Sequence, residues 1–227
     1  MHDPLLDKAR RLATKHFLGG GPPERFSEYG RTQLIALLRQ GLYPSAKLLD
    51  VGCGCLRAGY WLIHFLDPGC YCGIEPNRTM LQNGIDELLS DGTLEAKRPR
   101  FDHNDEFDFS VFGEKFDFFL ARSIWTHAPK SAIETMLDGL VAHGSDGAVF
   151  LTSYKPPVPL VRPDYKGSSW VGASHESDKP GIVRHSYRWI EEQCRRRGLT
   201  VRELREDNFG SQRWLRIDRA GAPGGRS

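Results

Sequence analysis

The sequence of 227 residues lacks any apolar run of the roughly 20 residues that a membrane-spanning helix requires. Its N-terminal stretch also lacks the apolar segment of a secretory signal. Neither sign of charge dominates, because 31 lysine and arginine residues stand against 29 aspartate and glutamate residues, giving a net charge of +2. We therefore expect a cytoplasmic protein without a membrane span. A general nucleic-acid-binding surface is not expected.

Cysteine is sparse, and its count of five is odd. Without a secretory signal, this argues against a disulfide framework and for reduced thiols. Four of the cysteines form two C-x-C pairs, Cys53/Cys55 and Cys70/Cys72, a spacing that makes a zinc site one alternative. The other alternative is small buried thiols, because one pair lies in a glycine turn and the other in a predicted strand. The setting of the two pairs favours buried thiols.

The sequence does contain short apolar runs that alternate with amphipathic segments, a pattern typical of an α/β domain. The runs KLLDV (47–51), AGYWLIHFL (58–66) and YCGIE (71–75) predict a strand–helix–strand unit whose two strands are parallel neighbours. Further strands are predicted at 100–105, 116–122, 147–154, 199–207 and 213–219, with helices at 4–16, 31–40, 77–90, 131–144 and 186–198. The short connection between the last two strands predicts an antiparallel hairpin.

This pattern divides the chain into a helical cap (1–45), a main domain (46–219) and a tail predicted to be disordered (220–227). Within the main domain, residues 155–183 are rich in proline and glycine and have no periodicity. The segment is longer than most connections in compact domains. We interpret it as a loop that packs on a substrate.

The stretch LLDVGCG (48–54) places glycines directly after the first predicted strand and before a helix. Glycines there allow a ligand to approach the backbone, and the helix start presents free N–H groups. The dinucleotide-binding pattern would need a third glycine where Arg57 stands. Glu75 ends the second strand, where a carboxylate can accept hydrogen bonds from both hydroxyls of a ribose. The glycine turn and Glu75 together predict a site for an adenosine-containing cofactor.

LLDVGCG and GIEPN (73–77) resemble the first and second motifs of the class I S-adenosylmethionine-dependent methyltransferases. HNDEFDFSVFGEKFDFFLARSIWTHAP (103–129) resembles their third and fourth strands, so the resemblance covers about residues 46–154. It implies an α/β, doubly wound, seven-stranded and mostly parallel sheet with an antiparallel last strand, the Rossmann-like methyltransferase fold. It also implies S-adenosylmethionine as cofactor and S-adenosylhomocysteine as product.

The resemblance assigns cofactor contacts at the first two strand ends. The turn Gly52, Cys53 and Gly54 would pass beneath the methionine part of the cofactor. Asp50 would organise this turn or, through water, the ammonium group. Glu75 would bind the ribose diol.

The remaining cofactor contacts are assigned to the ends of the third and fourth strands. Asn104 and Asp105 would face the adenine, and Arg122 and Ser123 would lie beside the sulfonium and amino-acid groups. Two alternatives stay open from the residues alone, because Asp105 lies in a cluster of carboxylates and Ser123 precedes a predicted helix. In these alternatives, Asp105 is a solvated loop residue, and Ser123 caps the helix that follows.

Methyl transfer from a sulfonium needs a nucleophile held in line at roughly 3–3.5 Å rather than a covalent protein intermediate. For a hydroxyl acceptor, a general base assists, and His127 just beyond the fourth strand is the candidate. The alternative is a histidine that packs behind Trp125 and orders the loop before Pro129. A divalent cation is a further alternative. The carboxylates that would hold it have a spacing more typical of a loop than of an oxygen cage, and they are Asp105, Glu106 and Asp108.

The acceptor is predicted from side chains in and around the long loop. Aromatic surfaces for a sugar or ring are Tyr154, Tyr165, Trp170 and Tyr187, with positive charge from Arg162, Lys166 and Arg184. The tetrapeptide of methyltransferases that modify DNA and glutamine amino groups is absent, since its place reads ARSIW (121–125). The prediction is a hydroxyl of a small molecule or oligosaccharide, with a small amine as the near alternative. A nucleotide-binding dehydrogenase and a non-catalytic scaffold are the competing classes.

Overall fold

The computed structural model describes residues 4–15, 18, 21–89, 92–172, 181–209 and 211–219. The chain divides into two compact units, Met1–Asp105 and Glu106–Ser227, called unit 1 and unit 2 below. The predicted tail and residues 173–180 of the predicted loop lie outside the described residues. The predicted domain boundaries stay predictions. Within the described part of the chain, no helix is long and apolar enough to cross a membrane.

Unit 1 alternates helices with three short parallel strands. Strand β1 pairs with β2 from Leu48 opposite Tyr71 to Val51 opposite Ile74, and β2 pairs in turn with β3. All residues of β1 and β2 are buried, Asp50 included, which explains why both strands are mostly apolar in sequence. The elements in chain order are α1 (Pro4–Lys15), a 3₁₀ turn (Pro23–Arg25), α2 (Phe26–Arg39), β1 (Leu48–Val51), α3 (Gly59–Phe65), β2 (Tyr71–Ile74), α4 (Arg78–Leu88), α5 (Thr93–Lys97) and β3 (Arg100–Asp102).

Unit 2 holds the longer strands and the closing hairpin. Strands β4 and β5 are parallel, whereas β7 is antiparallel to both β5 and β6. Its core is aromatic, with Phe119 within 5.9 Å of the ring centroids of Phe109, Phe116 and Phe150. The elements are a 3₁₀ turn (Ser110–Phe112), β4 (Phe116–Ala121), α6 (Lys130–His143), β5 (Gly144–Tyr154), α7 (Tyr187–Arg196), β6 (Leu199–Phe209) and β7 (Gln212–Arg219).

The strand order is β3-β2-β1-β4-β5-β7-β6 in a seven-stranded sheet. The predicted fold class, a mostly parallel α/β sheet with an antiparallel final strand, is therefore confirmed. Some predicted elements differ from the structure: β3 ends at Asp102 instead of residue 105, and β5 begins at Gly144 instead of residue 147. Helix α2 begins at Phe26 instead of residue 31, and α5 at Thr93–Lys97 was not predicted. Five residues are too few to show a helical repeat, which explains the omission.

Candidate functional site

The glycine turn after β1 is fixed by hydrogen bonds to the end of β2. Gly52 and Gly54 have φ angles of 72° and 56°, in the left-handed region that favours glycine. The amide N–H groups of Gly52 and Cys53 both donate to the Ile74 carbonyl oxygen, at 2.8 and 3.0 Å. Of the described residues, only Met80 would come within 4 Å of a Cβ at Gly54, at 3.8 Å from Sδ. The outer side of the turn at Gly54 therefore has room for a ligand against the backbone.

Glu75 faces this turn from the end of β2. Its Oε2 accepts a hydrogen bond from the Gly54 amide at 2.9 Å, and its Oε1 accepts one from the Asn77 amide at 2.9 Å. The residue is only 1% exposed. Burial raises the pKa of the carboxyl group, while the hydrogen bonds from Asn77 and Gly54 act in the opposite direction. Two backbone amides thus hold the carboxylate of Glu75 beside the turn.

Asp50 lies buried in β1 and is paired with a tyrosine of β2. The Tyr71 hydroxyl donates to Asp50 Oδ2 at 2.8 Å, and both residues are almost fully buried. Burial raises the pKa of Asp50 to about 7, with the Tyr71 hydrogen bond opposing and the charge of Glu75 adding to the rise. Asp50 therefore supports the turn from within the unit as a carboxyl group that ionises near neutral pH.

This raised pKa predicts a pH dependence of stability. A carboxyl group with a native pKa of about 7 and an ordinary pKa of 3.8 binds its proton more tightly in the folded state. Its contribution to stability is full below pH 3.8 and is lost as pH rises to 7, by about 4 kcal/mol for three pKa units. We expect the free energy of unfolding of the wild-type protein, minus that of Asp50→Asn, to fall across this range. Urea unfolding of both proteins from pH 4 to 8 measures the difference, and a constant difference would contradict the assignment.

The end of β3 reaches Glu75 through a histidine. The His103 ring Nδ1 lies 2.8 Å from the main-chain oxygen of Glu75, and since a carbonyl only accepts, Nδ1 carries the hydrogen. Asn104 folds back locally, with its amide N and Nδ2 donating to Asp102 Oδ1 at 2.8 and 2.6 Å. Asp105 is exposed. The structure therefore brings His103 to Glu75, and Asn104 and Asp105 follow it at the same strand end.

Helix α4 packs against the turn through a glycine that the sequence analysis did not single out. A Cβ at Gly84 would lie 2.6 Å from the carbonyl carbon and oxygen of Cys55. These are backbone atoms, which cannot swing aside as a flexible side chain can. Only glycine at this position allows α4 to lie so close to the turn.

Arg122 and Ser123 follow β4 in unit 2 and belong to a polar network. The Ser123 amide donates to Ser153 Oγ at 2.9 Å, and Gln212 Nε2 donates to Ser123 Oγ at 2.9 Å. The Arg122 guanidinium donates to Ser153 Oγ at 3.2 Å and to Gln212 Oε1. Since the cap of α6 is Pro129, Ser123 does not cap the following helix. The network ties the end of β4 to β5 and β7.

His127 is half-buried and pairs with the segment that precedes the undescribed part of the long loop. Its Nδ1 lies 2.6 Å from the Val171 carbonyl oxygen, and its own carbonyl accepts from the Val171 amide at 2.9 Å. Nδ1 is therefore the donor, which in the neutral ring leaves the lone pair on Nε2. Burial lowers the pKa of His127, against hydrogen bonds with the backbone of Val171 and Gly181. Burial therefore favours the neutral form of the ring.

The predicted aromatic surfaces are largely occupied within unit 2. Trp170 stacks between His127 and Phe107, each with its ring centroid 6.3 Å away. Tyr154 is fully buried and donates its hydroxyl to Glu203. The Tyr165 and Tyr187 hydroxyls donate to backbone oxygens of Ser169 and Val201, at 2.7 and 3.0 Å. The basic side chains around the loop, Arg162, Lys166 and Arg184, are exposed or partly exposed.

The cysteines and the acidic cluster show no arrangement for a metal. All five cysteines are buried free thiols. Among the residues that the structure describes, no group of three or more His, Cys, Asp or Glu side chains is placed to hold a metal ion. The Asp108 carboxylate instead accepts the Ser110 amide at 2.8 Å. Neither the zinc alternative nor the divalent-cation alternative gains support.

No known family profile matches the sequence, and no curated protein sequence matches it. Solved structures, however, are similar to the structure of this chain. An S-adenosylmethionine-dependent methyltransferase from Clostridium acetobutylicum has a TM-score of 0.65 at 10% identity, over 95% of this chain and 99% of that one. Magnesium protoporphyrin IX methyltransferase from Synechocystis has a TM-score of 0.62 at 16% identity, over 94% and 90%. The sugar N-methyltransferase from Streptoalloteichus has a TM-score of 0.59 at 15% identity, over 86% and 87%. The chain has the class I methyltransferase fold.

In this methyltransferase fold, as in other open α/β sheets, ligands bind at the carboxyl ends of the parallel strands. The glycine turn after β1, Glu75 after β2 and His103 after β3 occupy such ends within unit 1. Sequence analysis found the first two and missed His103. Strict alternation would turn His103 away from the side that Asp102 and Asn104 face. However, β3 ends at Asp102, so alternation does not extend to it.

Proposed function

We propose that the protein transfers a methyl group from S-adenosylmethionine to a hydroxyl group of a small molecule or saccharide. The observation that carries this proposal is the Glu75 carboxylate held by two backbone amides beside the glycine turn. A carboxylate at the end of β2 suits the two hydroxyls of a ribose, and the bare turn suits the close approach of a ligand to the backbone.

Within unit 1, the proposal gives each group a role toward the cofactor. Glu75 binds the ribose diol, and the turn Gly52, Cys53 and Gly54 lies beneath the methionine part. Asp50 supports the turn through its hydrogen bond with Tyr71. The contacts assigned to other strand ends depend on the sequence resemblance: Asn104 and Asp105 for adenine, Arg122 and Ser123 for the amino-acid part.

The structural neighbours support a sulfonium cofactor over a dinucleotide. Magnesium protoporphyrin IX methyltransferase from Synechocystis was solved with S-adenosylmethionine bound and again with S-adenosylhomocysteine bound. The dinucleotide pattern lacks its third glycine, because Arg57 stands in that place. We therefore propose S-adenosylmethionine as the methyl donor, which supplies a methyl group on a positively charged sulfur.

For the acceptor, we propose a hydroxyl whose proton His127 removes at Nε2 during attack. The Nδ1–H donation to Val171 fixes the ring tautomer that this role requires. Tyr165, Tyr187 and Trp170 remain the proposed substrate-side aromatics, whereas Tyr154 is fully buried and no longer belongs to this set. A small amine is the alternative acceptor, favoured by the likeness to a sugar N-methyltransferase. The proposal includes a cytoplasmic location, inferred from the sequence alone.

Calorimetric titration of the full chain tests the proposed cofactor. We expect micromolar binding of S-adenosylhomocysteine and no binding of NAD, because the turn and Glu75 fit an adenosine without a second nucleotide. Binding of NAD with comparable affinity would favour a dehydrogenase. Binding of neither compound by folded protein would favour a scaffold, and either result overturns the methyltransferase proposal.

A further inference from the structure

Near its start, the long loop of unit 2 makes a tight turn at 158–162 whose apolar side chains are exposed to solvent. Val158 and Arg162 form an antiparallel bridge, with Val158 N donating to Arg162 O at 2.8 Å and Arg162 N to Val158 O at 2.9 Å. Within this turn, Leu160 is 105% exposed, Val161 is 73% exposed and Val158 is 41% exposed. We call Val158, Leu160 and Val161 the apolar tip.

The apolar tip is held by hydrogen bonds of its own backbone. Leu160 has a φ of 64°, and the Val161 amide donates to the Pro159 oxygen at 2.8 Å. An exposed fraction above 100% means that no other described residue covers the Leu160 side chain. Three clustered aliphatic side chains in water are unfavourable unless something covers them, and single scattered ones would need no explanation.

Positive charge surrounds the base of the apolar tip. Lys155 is the first residue of the loop, and the Arg184 guanidinium donates to the Pro156 oxygen at 2.7 Å. Burial lowers the pKa of Lys155, and the charges of Arg184, Arg162 and Arg122 lower it further, so these cations lie close together. Arg162 and Lys166 are exposed, and no carboxylate of the described residues forms an ion pair with Lys155, Arg162, Lys166 or Arg184.

We propose that the apolar tip inserts into the surface of a bilayer that contains anionic lipids, with the surrounding cations at the headgroups. An aliphatic tip with a cationic rim matches the chemistry of such a surface, with acyl chains beneath negative phosphates. A protein partner would have to supply a deep apolar pocket around the Leu160 side chain, which no other described residue of this chain encloses. A bilayer surrounds such a side chain without a preformed pocket. This inference does not depend on the proposed methyl transfer.

Sedimentation of the full chain with vesicles tests the proposal. We expect binding to vesicles of phosphatidylcholine with about 30% phosphatidylserine, weaker binding to phosphatidylcholine alone, and a loss of binding as salt increases. The double variant Leu160→Asp/Val161→Asp should bind at least about tenfold more weakly, because two aliphatic side chains no longer enter the apolar layer. Arg162→Gln/Lys166→Gln should lose about fivefold for each charge.

Val111→Asp is the matched control. Val111 is an aliphatic residue of unit 2 that is 44% exposed on a 3₁₀ turn outside the long loop, so its replacement should leave vesicle binding unchanged. A wild-type chain that stays in the supernatant with anionic vesicles overturns the proposal. A Leu160→Asp/Val161→Asp variant that sediments like the wild type also overturns the proposal. Retention of the wild-type protein and of the Leu160→Asp/Val161→Asp variant on polyglutamate beads, without vesicle binding, would overturn the membrane proposal in favour of an acidic protein partner.

Discussion

Glu75→Gln is expected to weaken the binding of S-adenosylhomocysteine by a factor of about 100 or more. A hydrogen bond to a charged group contributes about 1.5–3 kcal/mol, so two bonds to a ribose diol amount to at least about 3 kcal/mol. Glutamine keeps the size of the side chain but loses the charge and replaces one acceptor oxygen with a donor. Calorimetric titration of the wild type and the variant measures the ratio of dissociation constants.

The same substitution is expected to lower the free energy of unfolding by about 1–3 kcal/mol. Both carboxylate oxygens accept backbone amides, from Gly54 and Asn77, and an amide side chain can accept only one of the two. Glu203→Gln is the matched control, because Glu203 accepts hydrogen bonds from Tyr154 and Arg213 in unit 2. It should cost stability without changing the affinity for S-adenosylhomocysteine. A folded Glu75→Gln protein with wild-type affinity would remove the ribose assignment.

The first two strands were the most predictable because all of their residues are buried. The runs at 47–51 and 71–75 became β1 and β2 almost residue for residue, since a strand that is buried on both faces has a mostly apolar sequence. The Gly turn and Glu75 were predictable for a related reason. They directly follow these strands, so locating the strand ends also located the site.

The supporting groups of unit 1 could not be predicted in the same way. The partner of Asp50 is the hydroxyl of Tyr71, 21 positions along the chain, and the β1–β2 register decides that the two meet. Gly84 reads in the sequence as a weak point in a helix, yet α4 can approach Cys55 only because a Cβ is missing there. Such contacts depend on tertiary distances that no local pattern encodes.

In unit 2, the sequence located candidate residues but not their partners. Arg122 was assigned from its place after a strand, whereas its guanidinium bonds Gln212, 90 positions away. Tyr154 was predicted as an exposed aromatic surface because it borders the long loop. It is fully buried since it closes β5, whose last residues pair with β7. The aromatic residues near the loop suggested an aromatic site. The tertiary structure decides which of their rings face solvent, and the sequence does not show it.

His127→Ala is expected to lower methyl transfer by a factor of about 10²–10⁴ while leaving the affinity for S-adenosylhomocysteine nearly unchanged. The assay is transfer of an isotopically labelled methyl group from S-adenosylmethionine into a small-molecule lysate extract. Because burial lowers the pKa of His127 and only the neutral ring accepts a proton, wild-type activity should fall as pH decreases through a value below 6.5. The variant should lose this acidic limb of the pH profile.

A loss of activity alone does not separate a base from an anchor, since His127→Ala also removes the hydrogen bond to Val171. Gly172→Ala is the matched control. A Cβ at Gly172 would lie 2.3 Å from His127 Nδ1, so this variant disturbs the anchor and retains the imidazole. If His127 is the base, Gly172→Ala should lower the rate but keep the acidic limb, and His127→Ala should abolish it. An acidic limb that persists in His127→Ala would make His127 an anchor of the long loop and not the base.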